Sequence, residues 1–104
     1  IKSHAGQKYT SDAVSVAIFK MLCEKAEVPV QFFSNRSDEA GGSTLGNIAM
    51  SQVSMNTVDI GLPQLAMHSA YETAGVKDME YMVKAVTEFY ASNIRGDSDG
   101  NYRI

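Results

Sequence analysis

The sequence predicts an α/β fold, in which helices cover a sheet, and the alternation of its segments points to this class. Short strand-like runs alternate along the chain with longer segments whose apolar residues recur at helical spacing. The sequence contains neither internal repeats nor low-complexity segments. Its 104 residues are enough for one domain at most. We therefore expect one α/β unit.

Three segments have the apolar period of an amphipathic helix. The first is predicted over residues 12–27 and ends before Pro29, because proline cannot continue a helix. The second is predicted over residues 45–53, and the third and longest apolar stripe runs over residues 79–90. The residues that could cap the start of the first helix are Thr10, Ser11 and Asp12.

The predicted strands lie between these helices. Residues 30–33 and 57–60 are short and rich in β-branched or aromatic side chains. The opening residues around Lys2 are also expected to be extended, with side chains alternating between two faces. The last residues, 95–104, are polar and contain glycine, which predicts a solvated tail.

Composition and charge exclude several classes of partner. The formal charge is −3 and the basic residues are scattered, so we expect no binding to nucleic acid. No run approaches the ~18 consecutive apolar residues that a membrane span needs.

The single cysteine, Cys23, excludes an internal disulfide and fits a reducing, cytoplasmic compartment. We expect an inert thiol on the first helix.

His68 is the residue whose side chain most clearly suggests a chemical role. It follows an apolar run, and an imidazole in such a position is either a hydrogen-bonded core side chain or a metal ligand. The core histidine is the commoner of the two, and no second ligand stands out beside His68. The residues alone leave both interpretations open.

Three separate motifs occur in one order along residues 1–90. The first motif is I-K at the start of the chain, followed by Q-K-Y-T. The second, over residues 35–46, is N-R-S-D followed by G-S-T-L-G. The third covers residues 57–69, ends in A-M-H-S and is followed by Glu72. Together they resemble the aspartyl aminopeptidases, the M18 family of metallopeptidases. The resemblance implies that residues 1–94 are the C-terminal portion of a catalytic domain, a fragment of an α/β/α sandwich with a mixed sheet, and that residues 95–104 form a polar tail.

The resemblance also implies which residues bind metal. In the family, the histidine of the A-M-H-S run is a ligand to one of two adjacent zinc ions, so His68 takes that role here. Imidazole is a suitable donor for zinc. The remaining ligands and the general-base glutamate of the family lie upstream of Ile1. We therefore expect the isolated fragment to be inactive.

Lys2, Tyr9, Gly42 and Ser43 are the residues that the resemblance assigns to substrate binding. The lysine and the tyrosine line the pocket that receives an acidic side chain in the family, and an ammonium and a phenol can each donate to a carboxylate. The loop containing Gly42 and Ser43 borders the family's active site, so its amides are expected to face the substrate; the residues alone are equally typical of a helix N-cap.

The implied function is removal of N-terminal aspartate or glutamate from peptides by a two-zinc aminopeptidase. The family's twelve-subunit shells imply a homo-oligomer. Two other interpretations stay open from the sequence: a two-metal aminopeptidase of different specificity, and a non-catalytic α/β domain that binds an anion or another protein.

Overall fold

A computed structural model describes residues 1–3, 10–34 and 45–104. This part of the chain forms three helices and three two-stranded sheets. The predicted α/β class is therefore confirmed, although the described strands are each two residues long. The elements are β1 (Lys2–Ser3), α1 (Ala13–Lys25), β2 (Phe33–Ser34), α2 (Leu45–Met50), β3 (Gln64–Leu65), β4 (Thr73–Ala74), α3 (Val76–Ala91), β5 (Arg95–Gly96) and β6 (Tyr102–Arg103).

The described sheets are mixed in direction. β1 and β2 pair in parallel, whereas the pairs β3–β4 and β5–β6 are antiparallel. Antiparallel neighbours can be joined by a short hairpin, but a parallel pair needs a long crossover. Here the crossover from β1 to β2 contains α1, which is the strand–helix–strand arrangement that the alternation predicted.

The described residues divide into two compact units. One comprises Ile1–Phe19 and Val30–Gly61, and the other comprises Lys20–Pro29 and Leu62–Ile104. Phe19 is buried in the first unit, together with Ser15. The buried apolar side chains of the second unit are Leu22, Cys23 and Ala85. The described helices include none that is long and apolar enough to cross a membrane.

α1 begins with a reciprocal cap. The backbone N–H of Ser15 donates to Oδ1 of Asp12 at 2.8 Å, and the N–H of Asp12 donates to Oγ of Ser15 at 3.0 Å. This is a capping box in which serine replaces the usual glutamate, and it satisfies donors that have no partner within the helix. The prediction of a cap among residues 10–12 is confirmed for Asp12.

α1 ends in a Schellman motif. The N–H of Val28 donates to the carbonyl of Cys23 at 2.8 Å, and the N–H of Glu27 donates to the carbonyl of Glu24 at 3.1 Å. The motif requires a left-handed residue, and Glu27 has that conformation, with φ of 58°. Glycine usually stands at this position because a Cβ is unfavourable there.

Glu27→Gly should therefore stabilise the chain. We expect the free energy of unfolding to rise by about 0.5–1 kcal/mol, because the gain from removing the Cβ exceeds the greater entropy of glycine in the unfolded state. Thermal denaturation of the variant measures this. Glu24→Gly, the same change inside α1, is the matched control and should destabilise by about 1 kcal/mol. An equal loss of stability in both variants would contradict this account of Glu27.

Cys23 lies on the first helix, as predicted, and its side chain is buried. Cys23 is free, lies in α1 and is only 1% exposed. Burial raises the pKa of the Cys23 thiol, because a charged thiolate is poorly solvated there. A raised pKa disfavours the reactive thiolate, which agrees with the predicted inert thiol.

α3 covers the predicted third stripe and extends it at both ends. It begins after Gly75, and its C-terminal cap is Ser92, whose backbone N–H donates to the carbonyl of Phe89 at 3.2 Å. Glu88 of α3 pairs with Lys25 of α1, with 3.7 Å between Oε1 and Nζ. Because the lysine side chain is 59% exposed, the pair contributes little to stability.

Two strand predictions need correction. Residues 57–60 form no strand: the backbone N–H of Asp59 is occupied by Oγ of Ser11 at 2.8 Å instead of by a neighbouring strand. The predicted strand at residues 30–33 is displaced towards the C-terminus and appears as β2. Both runs have strand-like composition, but a ladder also depends on a partner in register.

The polar residues after α3 form a hairpin. β5 and β6 pair around a turn in which Oδ1 of Asp97 accepts the backbone N–H groups of Asp99 and Asn101, both at 2.9 Å. Gly100 has φ of 82°, the left-handed conformation that such turns need. The Asn101 N–H is the largest of the influences that hold the pKa of Asp97 below its ordinary value.

Candidate functional site

Lys2 is held by backbone bonds on two sides. In β1 it stands opposite Phe33 of β2, and its own N–H donates to the carbonyl of Asp59 at 2.8 Å. The N–H of Phe33 donates to the carbonyl of Ile1 at 2.8 Å. These bonds fix the lysine backbone within the first unit, and Lys2 is half-buried.

The Lys2 side chain lies against the backbone of Gly61. A Cβ placed on Gly61 would be 2.8 Å from Cε of Lys2 and 3.2 Å from its Nζ. The aliphatic stem and the ammonium therefore occupy space that another side chain at this position would fill. Gly61 directly follows the segment that bonds to the lysine backbone, so residues 59–61 contact both the backbone and the side chain of Lys2.

The other predicted substrate-binding residues, Tyr9, Gly42 and Ser43, lie outside the described residues. Their assignment to substrate binding stays a prediction. α2 begins at Leu45, two positions after Ser43.

His68 stands in the loop that joins β3 to β4, in the second unit. The register of the hairpin pairs Leu65 with Thr73, so the seven residues between them form its loop. The backbone N–H of His68 donates to Oε1 of Glu72 at 3.2 Å. His68 is exposed, which does not fit a core histidine.

The loop around His68 has an unusual backbone. Ala66 has φ of 53° and His68 has φ of 67°, both in the left-handed region that residues with a Cβ seldom adopt. Each such residue costs on the order of 1–2 kcal/mol. Backbone strain of this kind concentrates at functional sites, where the surrounding structure holds it. The strain therefore supports a functional role for the exposed imidazole.

A zinc site needs more ligands than His68 alone. Catalytic zinc usually has three protein ligands of nitrogen or oxygen type. Within residues 1–3, 10–34 and 45–104, no cluster of three or more His, Cys, Asp or Glu side chains could hold a metal. The exposed imidazole of His68 fits one position of such a site, and nearby Glu72 accepts the His68 amide. The described residues thus do not form a complete metal centre.

Sequence reasoning selected Lys2 and His68 but missed two features of their surroundings. One is the contact between Lys2 and Gly61, which are 59 positions apart and give no local signal. The other is the left-handed backbone of Ala66 and His68, since neither residue is the glycine or asparagine that usually marks this conformation.

The chain is similar to known proteins over most of its length. The sequence model of the family described as "Aminopeptidase I zinc metalloprotease (M18)" matches residues 1–90. The probable M18 family aminopeptidase 2 of Clostridium novyi is 56% identical over 90 residues, which are 86% of this chain and 21% of the relative. The protein of the same description from Pseudomonas aeruginosa is 48% identical over 93 residues, covering 89% of this chain and 22% of the relative.

A solved structure also matches. The cryo-EM structure of the Ape4 and Nbr1 complex contains a chain that is 39% identical to this one, with a TM-score of 0.83. The match covers 86% of this chain and 17% of that chain. The chain described here therefore spans about a fifth of the length of the curated relatives it matches.

Proposed function

Because the chain belongs to the M18 family of zinc metalloproteases, we propose that it is part of a two-zinc aminopeptidase that removes N-terminal aspartate or glutamate from peptides. The observation that carries the proposal is the half-buried Lys2, whose backbone is fixed by β2 and by Asp59. A lysine ammonium on a fixed backbone is suited to binding a carboxylate side chain.

Each proposed site residue has one task. The Lys2 ammonium binds the acidic side chain of the substrate's first residue, and the phenol of Tyr9 donates a second hydrogen bond to it. The backbone amides of Gly42 and Ser43 face the substrate. Selectivity follows because an acidic side chain forms a charge-assisted hydrogen bond with the Lys2 ammonium that a neutral side chain cannot form.

His68 is proposed as a zinc ligand. Its place at the tip of a hairpin leaves the imidazole accessible, and the bond from its amide to Glu72 holds the loop. Zinc, when bound, polarises the scissile carbonyl and activates water. The further ligands and the general base would come from the rest of the protein.

Exposed apolar side chains support the view that this chain is completed by further protein. Val76 is 82% exposed and Leu65 is 73% exposed, which is unfavourable for large apolar groups in water. We propose that in the whole enzyme such surfaces pack against the remaining polypeptide or against other subunits of a cytoplasmic homo-oligomer.

The experiment compares the intact protein with the 104-residue chain on peptides that begin with aspartate, glutamate, alanine or leucine. We expect the intact protein to cleave the two acidic substrates with the higher kcat/KM. The isolated chain should hydrolyse none of them, because one ligand cannot hold zinc in catalytic geometry. It should also self-associate through its exposed apolar side chains.

The possible outcomes distinguish the alternatives. A preference for neutral substrates would instead make the protein an aminopeptidase of other specificity. An intact protein without peptidase activity would favour a non-catalytic binding domain. Zinc-dependent cleavage by the purified chain would contradict its assignment as an incomplete part of the site.

A further inference from the structure

Gly61 is not required as glycine by its backbone conformation. Among the described residues, the glycine with positive φ is Gly100, and Gly61 lies outside that region. Alanine could therefore adopt the same backbone. What matters at position 61 is the identity of the neighbour, because a Cβ there would come within 2.8 Å of Cε of Lys2.

The contact would be resolved by moving the lysine side chain and not its backbone. The N–H of Lys2 bonds to Asp59 at 2.8 Å, and β1 is paired with β2. The side chain has four rotatable bonds and can shift its far end at low energetic cost. An added methyl group should thus displace the ammonium while leaving the fold intact.

We propose that Gly61 is a positioning residue for Lys2: its lack of a side chain leaves the space along which the lysine lies, and this sets where the ammonium meets the acidic side chain of the substrate. The inference rests on the proposed function, because it assigns to Gly61 the selectivity that Lys2 provides. Gly61 acts through Lys2 and takes no part in the chemistry.

The test is Gly61→Ala in the intact enzyme. The ratio of kcat/KM for N-terminal aspartyl over leucyl substrates should fall about ten-fold, since misplacing a binding group by about an ångström costs one to two orders of magnitude. Zinc content and thermal stability should stay unchanged. A variant that unfolds, or one that lowers both substrates equally, would overturn the inference.

Gly75→Ala is the matched control. A Cβ at Gly75 would also come within 2.8 Å of the end of a flexible side chain, but that side chain is Asp78, whose Oδ2 lies at the start of α3. We expect the substrate ratio of this variant to equal that of the unmodified enzyme. A ten-fold change in this control as well would mean that the ratio responds to any such crowding, and would overturn the specific role of Gly61.

A double-mutant cycle separates the inference from the function on which it rests. In a Lys2→Met background, Gly61→Ala should have no further effect on the ratio, because the group that it displaces is gone. If Lys2→Met lowers the ratio but Gly61→Ala does not, the acid pocket stands and the role of Gly61 fails. If Lys2→Met leaves the ratio unchanged, both fail.

Discussion

Replacing His68 by alanine in the intact enzyme is expected to remove zinc and abolish peptidase activity. The imidazole is proposed as a direct ligand, and even partners in the outer sphere of a zinc site change affinity by about 10–100-fold, so the loss should exceed this range. Elemental analysis of the purified variant and a peptidase assay measure the two effects.

Tyr71→Phe is the matched control for this experiment. Tyr71 stands in the same loop and is 85% exposed, so losing its hydroxyl should leave both zinc and activity as they are. Unchanged zinc content and activity in His68→Ala would remove His68 from the metal site. The strained backbone at positions 66 and 68 would then need another explanation.

Lys2→Met is expected to lower activity on acidic substrates selectively. Removing one partner of a buried charge pair costs about 2–5 kcal/mol, and the half-buried position of Lys2 favours the lower part of that range. Tyr9→Phe removes a neutral donor to a charged group and should cost about 1.5–3 kcal/mol. Both variants should keep their zinc. The measurement is kcat/KM for aspartyl, glutamyl, alanyl and leucyl substrates.

Lys20→Met provides the control, because it makes the same chemical change at an exposed position of α1. It should leave all four values of kcat/KM unaltered. If Lys2→Met lowers the four substrates by one common factor, Lys2 is structural and the acid pocket is wrongly assigned.

The helices were predictable because their signals are local. For α1, the predicted range of residues 12–27 contains the observed Ala13–Lys25, and Asp12 was among the expected caps. The apolar stripe over residues 79–90 likewise lies within α3. Periodicity and capping act over one or two turns, so a sequence displays them directly.

The strands were harder to predict because pairing joins residues that are far apart. Residues 57–60 have the composition of a strand, yet the carbonyl of Asp59 accepts the Lys2 N–H and the N–H of Asp59 donates to Oγ of Ser11. The C-terminal hairpin does have a local signal, since its turn contains aspartate and glycine, but the polarity of these residues predicted only a solvated tail and no particular pairing. Turn chemistry would have been the better guide there.

In the candidate site, too, local signals were predictable and contacts between distant residues were not. Motifs selected Lys2 and His68 by type and spacing, whereas Gly61 became visible only through a contact across 59 positions. A glycine after a β-branched run is typical of many turns. Only the distance to Cε of Lys2 distinguishes this one.

The most direct test is a crystal or cryo-EM structure of the intact, zinc-loaded protein with bound aspartate. The account predicts Nζ of Lys2 at about 2.7–2.9 Å from the side-chain carboxylate of the aspartate. It also predicts a ring nitrogen of His68 at about 2.0–2.1 Å from zinc. An aspartate side chain held by other residues, with the Lys2 ammonium pointing away from it, would contradict the account.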